Sequence, residues 1–153
     1  MQRLWLQSMT PQAIRDGFDK LRSDLQMQPL ADAKGLGWRA RPTGCAAYAD
    51  PALVEVVLRN LLLNAVRYTE RGRVLLAARS QGPHVAIEVW DTGIGIGADE
   101  QQRIFEEFYQ INNPGRDRAL GLGIGLAIVQ RLAGLLDVKV SLRSQVGKGS
   151  VFK

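Results

Sequence analysis

Asn60 and Asn64 lie four residues apart within a run whose leucines recur at helical spacing. That spacing brings both amides to one helix face. Neutral carbonyl oxygens suit a hard cation such as Mg²⁺, which keeps several waters and leans on phosphate oxygens. Arg67 follows one helical step later, where it can meet a phosphate, and Tyr68 can stack on a base. Taken alone, the pair is explained more simply as two solvated asparagines on an exposed helix face.

A second candidate is the stretch Asp91, Thr92, Gly93, Ile94, Gly95, Ile96, which ends an apolar run. It sets a carboxylate at the floor of a pocket, with glycines that let the backbone come close. A carboxylate accepts from the exocyclic amine of adenine and repels the carbonyl oxygen of guanine. An ordinary Asp turn between a strand and a loop is the competing account. Gly121, Leu122, Gly123, Ile124, Gly125 and Leu126 form a third, glycine-rich stretch entering an apolar helix. Free N–H groups at a helix start bind anions, although glycines also serve close helix packing. No Lys-Ser/Thr pair follows, so this is not a Walker A loop, and a dinucleotide fold is disfavoured as well. Finally, Phe105 and Phe108, at i and i+3, can anchor one end of a lid or simply fill the core.

These residues need elements to hold them. Thr10 and Pro11 start a helix carrying Ile14, Phe18, Leu21 and Leu25, which Pro29 and Gly35 interrupt. Strand-like runs follow at 36–41 and 45–49. Asp50 caps a second helix with Pro51 at its first position, buried along Leu53, Val54, Val57, Leu58, Leu61, Leu62 and Ala65, and closed by Arg71 and Gly72. Strands at 73–79 and 84–90 flank a turn at 80–83, the second alternating Val85, Ile87 and Val89 with His84, Ala86, Glu88 and Trp90. A short helix is expected near 99–108, a mobile lid at about 109–121, a helix buried on most sides at 122–136, and strands at 138–142 and 150–153. The pattern predicts an α+β, two-layer α/β sandwich, its mixed and mostly antiparallel sheet packed on about three helices.

Composition narrows the classes. The 153 residues make one domain, with 46% apolar and 23% charged residues, the balance of a soluble globular protein. Residues 1–9 read as a remnant of an upstream helix or a stretch foreign to the domain, which occupies 10–153. A lone Cys45 excludes an internal disulfide and fits a reducing cytoplasm. No apolar run reaches the roughly 18 residues of a membrane span. The net charge of +5 invites an anionic partner.

Together and in this order, the asparagine pair, the Asp-x-Gly-x-Gly stretch, the phenylalanine stretch and the Gly-x-Gly-x-Gly-Leu stretch resemble the catalytic ATP-binding domain of bacterial sensor histidine kinases. That domain belongs to the superfamily shared with gyrase B, heat-shock chaperones and mismatch-repair proteins. The wording around Phe105 and Phe108 is similar to hybrid sensor kinases. The resemblance implies the Bergerat ATP-binding fold, with ATP and Mg²⁺ as cofactors. It implies that Asn64 holds Mg²⁺ against the triphosphate with support from Asn60, that Arg67 contacts phosphate and that Tyr68 lines the adenine pocket. Asp91 would accept from adenine, with Thr92, Gly93, Gly95, Ile96 and Phe105 around it. Gly121, Leu122, Gly123, Gly125 and Leu126 would hinge the lid and face the phosphates, which Arg116 and Arg118 reach from the lid. Where hydrolytic relatives carry a glutamate, this chain has Asn60, a poor base; Glu55, earlier on the same helix, is a candidate supporting or general-base group. Many relatives carry Thr at the place of Leu122.

The implied activity is transfer of the γ-phosphoryl of ATP to a histidine on a separate dimerisation domain, with the phosphoryl then passing to a response-regulator receiver domain. The sole histidine, His84, begins a strand and reads as a surface or structural residue, so the chain is not expected to autophosphorylate alone. A cytoplasmic domain follows, in a parent protein that can itself be membrane-anchored, with no nucleic acid and no direct membrane contact. The alternatives are a non-catalytic nucleotide-binding sensor module and a free-standing anti-sigma-factor serine kinase.

Overall fold

Asp50 opens the central helix as expected: its Oδ1 accepts from the N–H groups of Ala52 at 2.9 Å and Leu53 at 3.3 Å. Pro51 occupies the first turn, where a missing N–H breaks no intrahelical bond. The structure is a computed structural model that describes residues 27–41, 47, 49–111 and 122–153. Its elements, in chain order, are α1 (Met27–Ala33), β1 (Gly37–Arg41), α2 (Pro51–Tyr68), β2 (Arg73–Gln81) and β3 (His84–Asp91). A 3₁₀ turn (Arg103–Phe105), α3 (Gly125–Leu135), β4 (Leu142–Gln145) and β5 (Gly149–Phe152) complete them.

The strands form one sheet in the order β1-β2-β3-β5-β4. β1 runs parallel to β2, and the other neighbours are antiparallel. One face is apolar: Val74, Leu76, Val89 and Phe152 point from it into a core shared with Leu58, Leu61, Leu62, Ala65 and Val66 of α2 and Val129 of α3. Leu62 and Leu76 are fully buried, and each such side chain contributes about 1.5–3 kcal/mol. Among the described residues the chain forms the predicted α+β sandwich of a mixed sheet and three helices. On the opposite face Glu88 is buried. Desolvation pushes its carboxyl up, but the bonds from Arg79 and Trp90 and the charges of Arg79 and Lys153 outweigh that and hold it below the ordinary glutamate range.

Several boundaries differ from expectation. The helix with Ile14, Phe18, Leu21 and Leu25 lies outside the described residues, as do most of the 45–49 run and lid residues 112–121; Ala47 and Ala49 are not in a strand. Pro29 sits in the first turn of α1, where a proline is tolerated. α2 ends at Tyr68, three residues before Arg71, where the Thr69 hydroxyl donates to Ala65 O at 2.7 Å. The 99–108 segment forms only the 3₁₀ turn. α3 starts at Gly125 rather than 122, since Gly123 takes a φ of +70°, outside the helical region. It is buried along Ala127, Val129 and Ala133 only, and Leu135 is 74% exposed. β4 begins at Leu142 because pairing with β5 sets its register, which leaves Val138 exposed.

Candidate functional site

A cleft of about 260 Å³ opens between α2, the end of β3 and the start of α3. Asn60, Asn64, Arg67 and Tyr68 line it from α2, on the side away from the leucines that enter the core. Asn60 Nδ2 donates to Val56 O at 2.8 Å, so its Oδ1 is left for the cleft. A Cβ added to Gly125 would lie 2.9 Å from that oxygen, which shows how closely the start of α3 abuts the asparagine.

Asp91 is the one acidic side chain among the described lining residues. It ends β3, on the apolar face of the sheet, and Gly93 N–H donates to its Oδ1 at 2.9 Å. Burial pushes its carboxyl above the ordinary aspartate range, and bonds from the backbone of Gly93 and Ser150 offset only part of the shift. The following loop is pinned from several sides. Ile94 N–H bonds to Tyr68 O at 3.2 Å, Ile96 N–H to Ser144 Oγ at 2.8 Å and Gly147 N–H to Ile94 O at 2.7 Å. Gly95 has a φ of +70°, and a Cβ there would stand 2.0 Å from Gln145 O, so only glycine fits. The result is a rigid floor holding a partly desolvated carboxylate that can accept a hydrogen bond.

Leu122, Gly123, Gly125 and Leu126 form the third wall. Phe108 N–H donates to Gly123 O at 2.9 Å, tying the two ends of the predicted lid together. Phe108 itself has a φ of +64° and is 64% exposed, so it leaves the core to Ile104 and Phe105. Arg131 of α3 bridges to Glu107 at 2.7 Å and closes the same junction.

Of the residues singled out from sequence, Asn60, Asn64, Arg67, Tyr68, Asp91, Gly95, Ile96, Leu122, Gly123, Gly125 and Leu126 meet at this one cleft. Glu55 does not line it and bonds Arg59 at 3.3 Å on the same helix. Phe105 stacks edge-on against Phe152, with centroids 6.5 Å apart, and acts behind the wall. Thr92 turns away, its Oγ1 accepting from Arg73 N–H at 3.0 Å, and Gly93 contributes the N–H that holds Asp91. Arg116, Arg118 and Gly121 lie outside the described residues. Sequence reasoning missed Ser150, whose signal was its place in the closing Gly-Ser strand. It also missed Lys34, whose Nζ donates to Val66 O at 2.8 Å and Arg67 O at 2.9 Å and so fixes the cleft end of α2. No local pattern announces a contact across 32 residues.

The family profile described as "Histidine kinase-, DNA gyrase B-, and HSP90-like ATPase" matches residues 49–153, which hold every element of the cleft. The chain belongs to this ATPase family. Within it, the sensor histidine kinase RcsC of Escherichia coli (strain K12) is 38% identical over 107 residues, 70% of this chain and 11% of that protein. The sensor histidine kinase AtsR of Burkholderia thailandensis is 34% identical over 143 residues, 91% of this chain and 23% of that one. The crystal structure of full-length ShkA in complex with AMPPNP superposes with a TM-score of 0.73 and 35% identity, covering 86% of this chain and 28% of ShkA. This member of the ATPase family thus spans less than a third of each of these three kinases.

Proposed function

We propose that this chain is the MgATP-binding catalytic domain of a two-component sensor histidine kinase and donates the γ-phosphoryl of ATP to a histidine on a separate dimerisation domain. The observation that carries this reading is the single cleft joining two asparagine amides, a buried aspartate and a glycine-rich helix start. Asp91 accepts from the adenine amine, while Ile96, Ile111 and Leu126 bury the purine. The triphosphate runs towards the N-terminus of α3, whose N–H groups and dipole favour anions. Arg67 adds positive charge, and Arg116 and Arg118 of the predicted lid, outside the described residues, would add more.

The donor set fits Mg²⁺. Among the described residues no cluster of His, Cys, Asp or Glu could hold a metal alone, whereas two amide oxygens and a phosphate can share one. Asn64 and the free Oδ1 of Asn60 would hold it, and the bound cation would offset the charge on the phosphates. In the transfer, an imidazole nitrogen bonds to the γ-phosphorus as the bond to the β–γ bridging oxygen breaks, and ADP leaves with the electron pair. This step depends on position and charge rather than on a strong base. The amide of Asn60, in the place where hydrolytic relatives carry a glutamate, does not activate water, so ATP waits for its acceptor. The receiver domain of a response regulator is the next phosphoryl acceptor, and the domain works in the cytoplasm, where ATP is supplied.

The test is to incubate the protein with γ-labelled ATP, Mg²⁺ and the dimerisation domain of the parent kinase. Acid-labile, base-stable label on that domain's histidine is expected, with little free phosphate when the domain is omitted. Folded protein that binds ATP yet forms no phosphohistidine contradicts the proposal.

A further inference from the structure

The sheet face turned away from the helices has a composition that the nucleotide cleft does not use. Strand register aligns Arg39, Leu75, Trp90, Val151 and Arg143 in one row across all five strands. Leu75 and Val151 are half-buried, Trp90 is 37% exposed, and the arginines at both ends are exposed. Strands are spaced by roughly 4.8 Å, so the row is about 19 Å from end to end. Arg41, Arg73 and Arg79 add exposed positive charge on the same face. Glu88 is the only carboxylate on this face among the described strand residues, and it is 3% exposed. Arg79 bonds one of its oxygens, and Trp90 Nε1–H donates to the other at 3.0 Å. The negative charge is sequestered, and the face shows solvent a cationic surface around an apolar centre. A concavity of about 1010 Å³ opens along it, with Arg39, Arg41, Arg73, Trp90 and Lys148 in its wall.

A sheet face that is only solvated mixes charges of both signs and keeps large apolar groups covered. Tryptophan and arginine are instead the residues that dominate binding energy at protein interfaces. We propose that this face docks an acidic protein surface, which seats an apolar side chain on Leu75, Trp90 and Val151 and sets carboxylates against Arg39 and Arg143. Charge complementarity selects the partner's chemistry. Single-stranded nucleic acid is the less suited ligand, because it needs successive stacking rings. Trp90 is the only Phe, Tyr or Trp on this face among the described strand residues, and its indole N–H is already engaged. The inference stands independently of the nucleotide reading, since none of these side chains is assigned to the ATP cleft.

The test titrates the full chain with a synthetic peptide of glutamates and aspartates around a central leucine–phenylalanine pair, followed by heteronuclear NMR. Saturable shifts are expected at the Trp90 indole and the Arg39 and Arg143 amides, weakening as salt is added. Affinity should fall about tenfold or more in the double variant Arg39→Glu, Arg143→Glu, and likewise in Trp90→Ala. Both arginines are exposed, and an unchanged spectrum elsewhere in the double variant shows that the fold is intact. The proposal is overturned if the peptide shifts nothing on this face at low salt, or if a peptide lacking the apolar pair binds as well. It is also overturned if oligothymidine or phosphatidylserine vesicles perturb the row as strongly, or if the row shifts with protein concentration alone, which would mark a second copy as the occupant.

Discussion

In the proposed function Asp91 serves adenine binding at the expense of stability. Burial raises its carboxyl pKa, and the Gly93 and Ser150 bonds recover only part of the cost. The native state therefore holds its proton to higher pH than the unfolded chain does. Stability is lost as pH rises from the unfolded value through the raised one, and at neutral pH the full cost is present. Adenine needs the ionised form, so ATP affinity should fall on acidification, beginning at a higher pH than for an ordinary aspartate. Asp91→Asn should leave the ligand-free melting temperature at neutral pH equal or higher, while weakening ATP binding by about 1.5–3 kcal/mol and flattening its pH dependence. Thermal-shift and titration series from mildly acidic to neutral pH check both. The two glycines predict opposite outcomes. Gly125→Ala meets only the tip of the Asn60 side chain, so it should fold normally and yet weaken Mg²⁺-dependent nucleotide binding. Gly95→Ala meets the Gln145 backbone at a positive φ and should destabilise the fold outright, which circular dichroism melts will separate. Asp91 and both glycines were legible in sequence because turn chemistry is local. The carboxylate of Glu88 was not: alternation places it on the outer face, but only the fold shows Arg79 and Trp90 closing over it.

At the scale of elements, α2 carries the site and is held at both ends. Asp50 caps its start through bonds two and three residues away, a pattern readable from sequence. Lys34 caps its end through the Val66 and Arg67 carbonyls, which only the tertiary fold brings within reach. Replacing it with methionine should cost about 1–2 kcal/mol in denaturant unfolding, because the last carbonyls lose a charged donor. Leu62→Ala, at the centre of the core, should cost about 2–5 kcal/mol in the same measurement. The elements that sequence misplaced are those whose limits are set by partners. The 99–108 segment has helical spacing, but Ile104 and Phe105 enter the core from a 3₁₀ turn and Phe108 points out. Likewise β4 starts where β5 gives it a partner rather than where Val138 begins an apolar run.

For the whole molecule, the meaning of its size and charge comes from the sheet's two faces. One face builds the core and, at the end of β3, the floor of the cleft; the other, among the described residues, is exposed and cationic. Most of the candidate residues that the motifs single out meet, since the fold brings the α2 asparagines, the β3 aspartate and the α3 glycines to one cleft. What sequence could not place were supports such as Lys34, which reaches the end of α2 only through the tertiary fold. The family profile covers 49–153, and the chain spans 11% of RcsC and 23% of AtsR. The central claim, a cleft that selects adenine through Asp91 and holds the triphosphate with Mg²⁺, is tested most directly by calorimetric titration with ATP and GTP in the presence and absence of Mg²⁺. Saturable one-to-one binding of ATP, strengthened by Mg²⁺, absent for GTP and weakened in Asp91→Asn, is the predicted result. Equal affinity for ATP and GTP, or an Asp91→Asn variant that binds ATP as the wild type does, would contradict it.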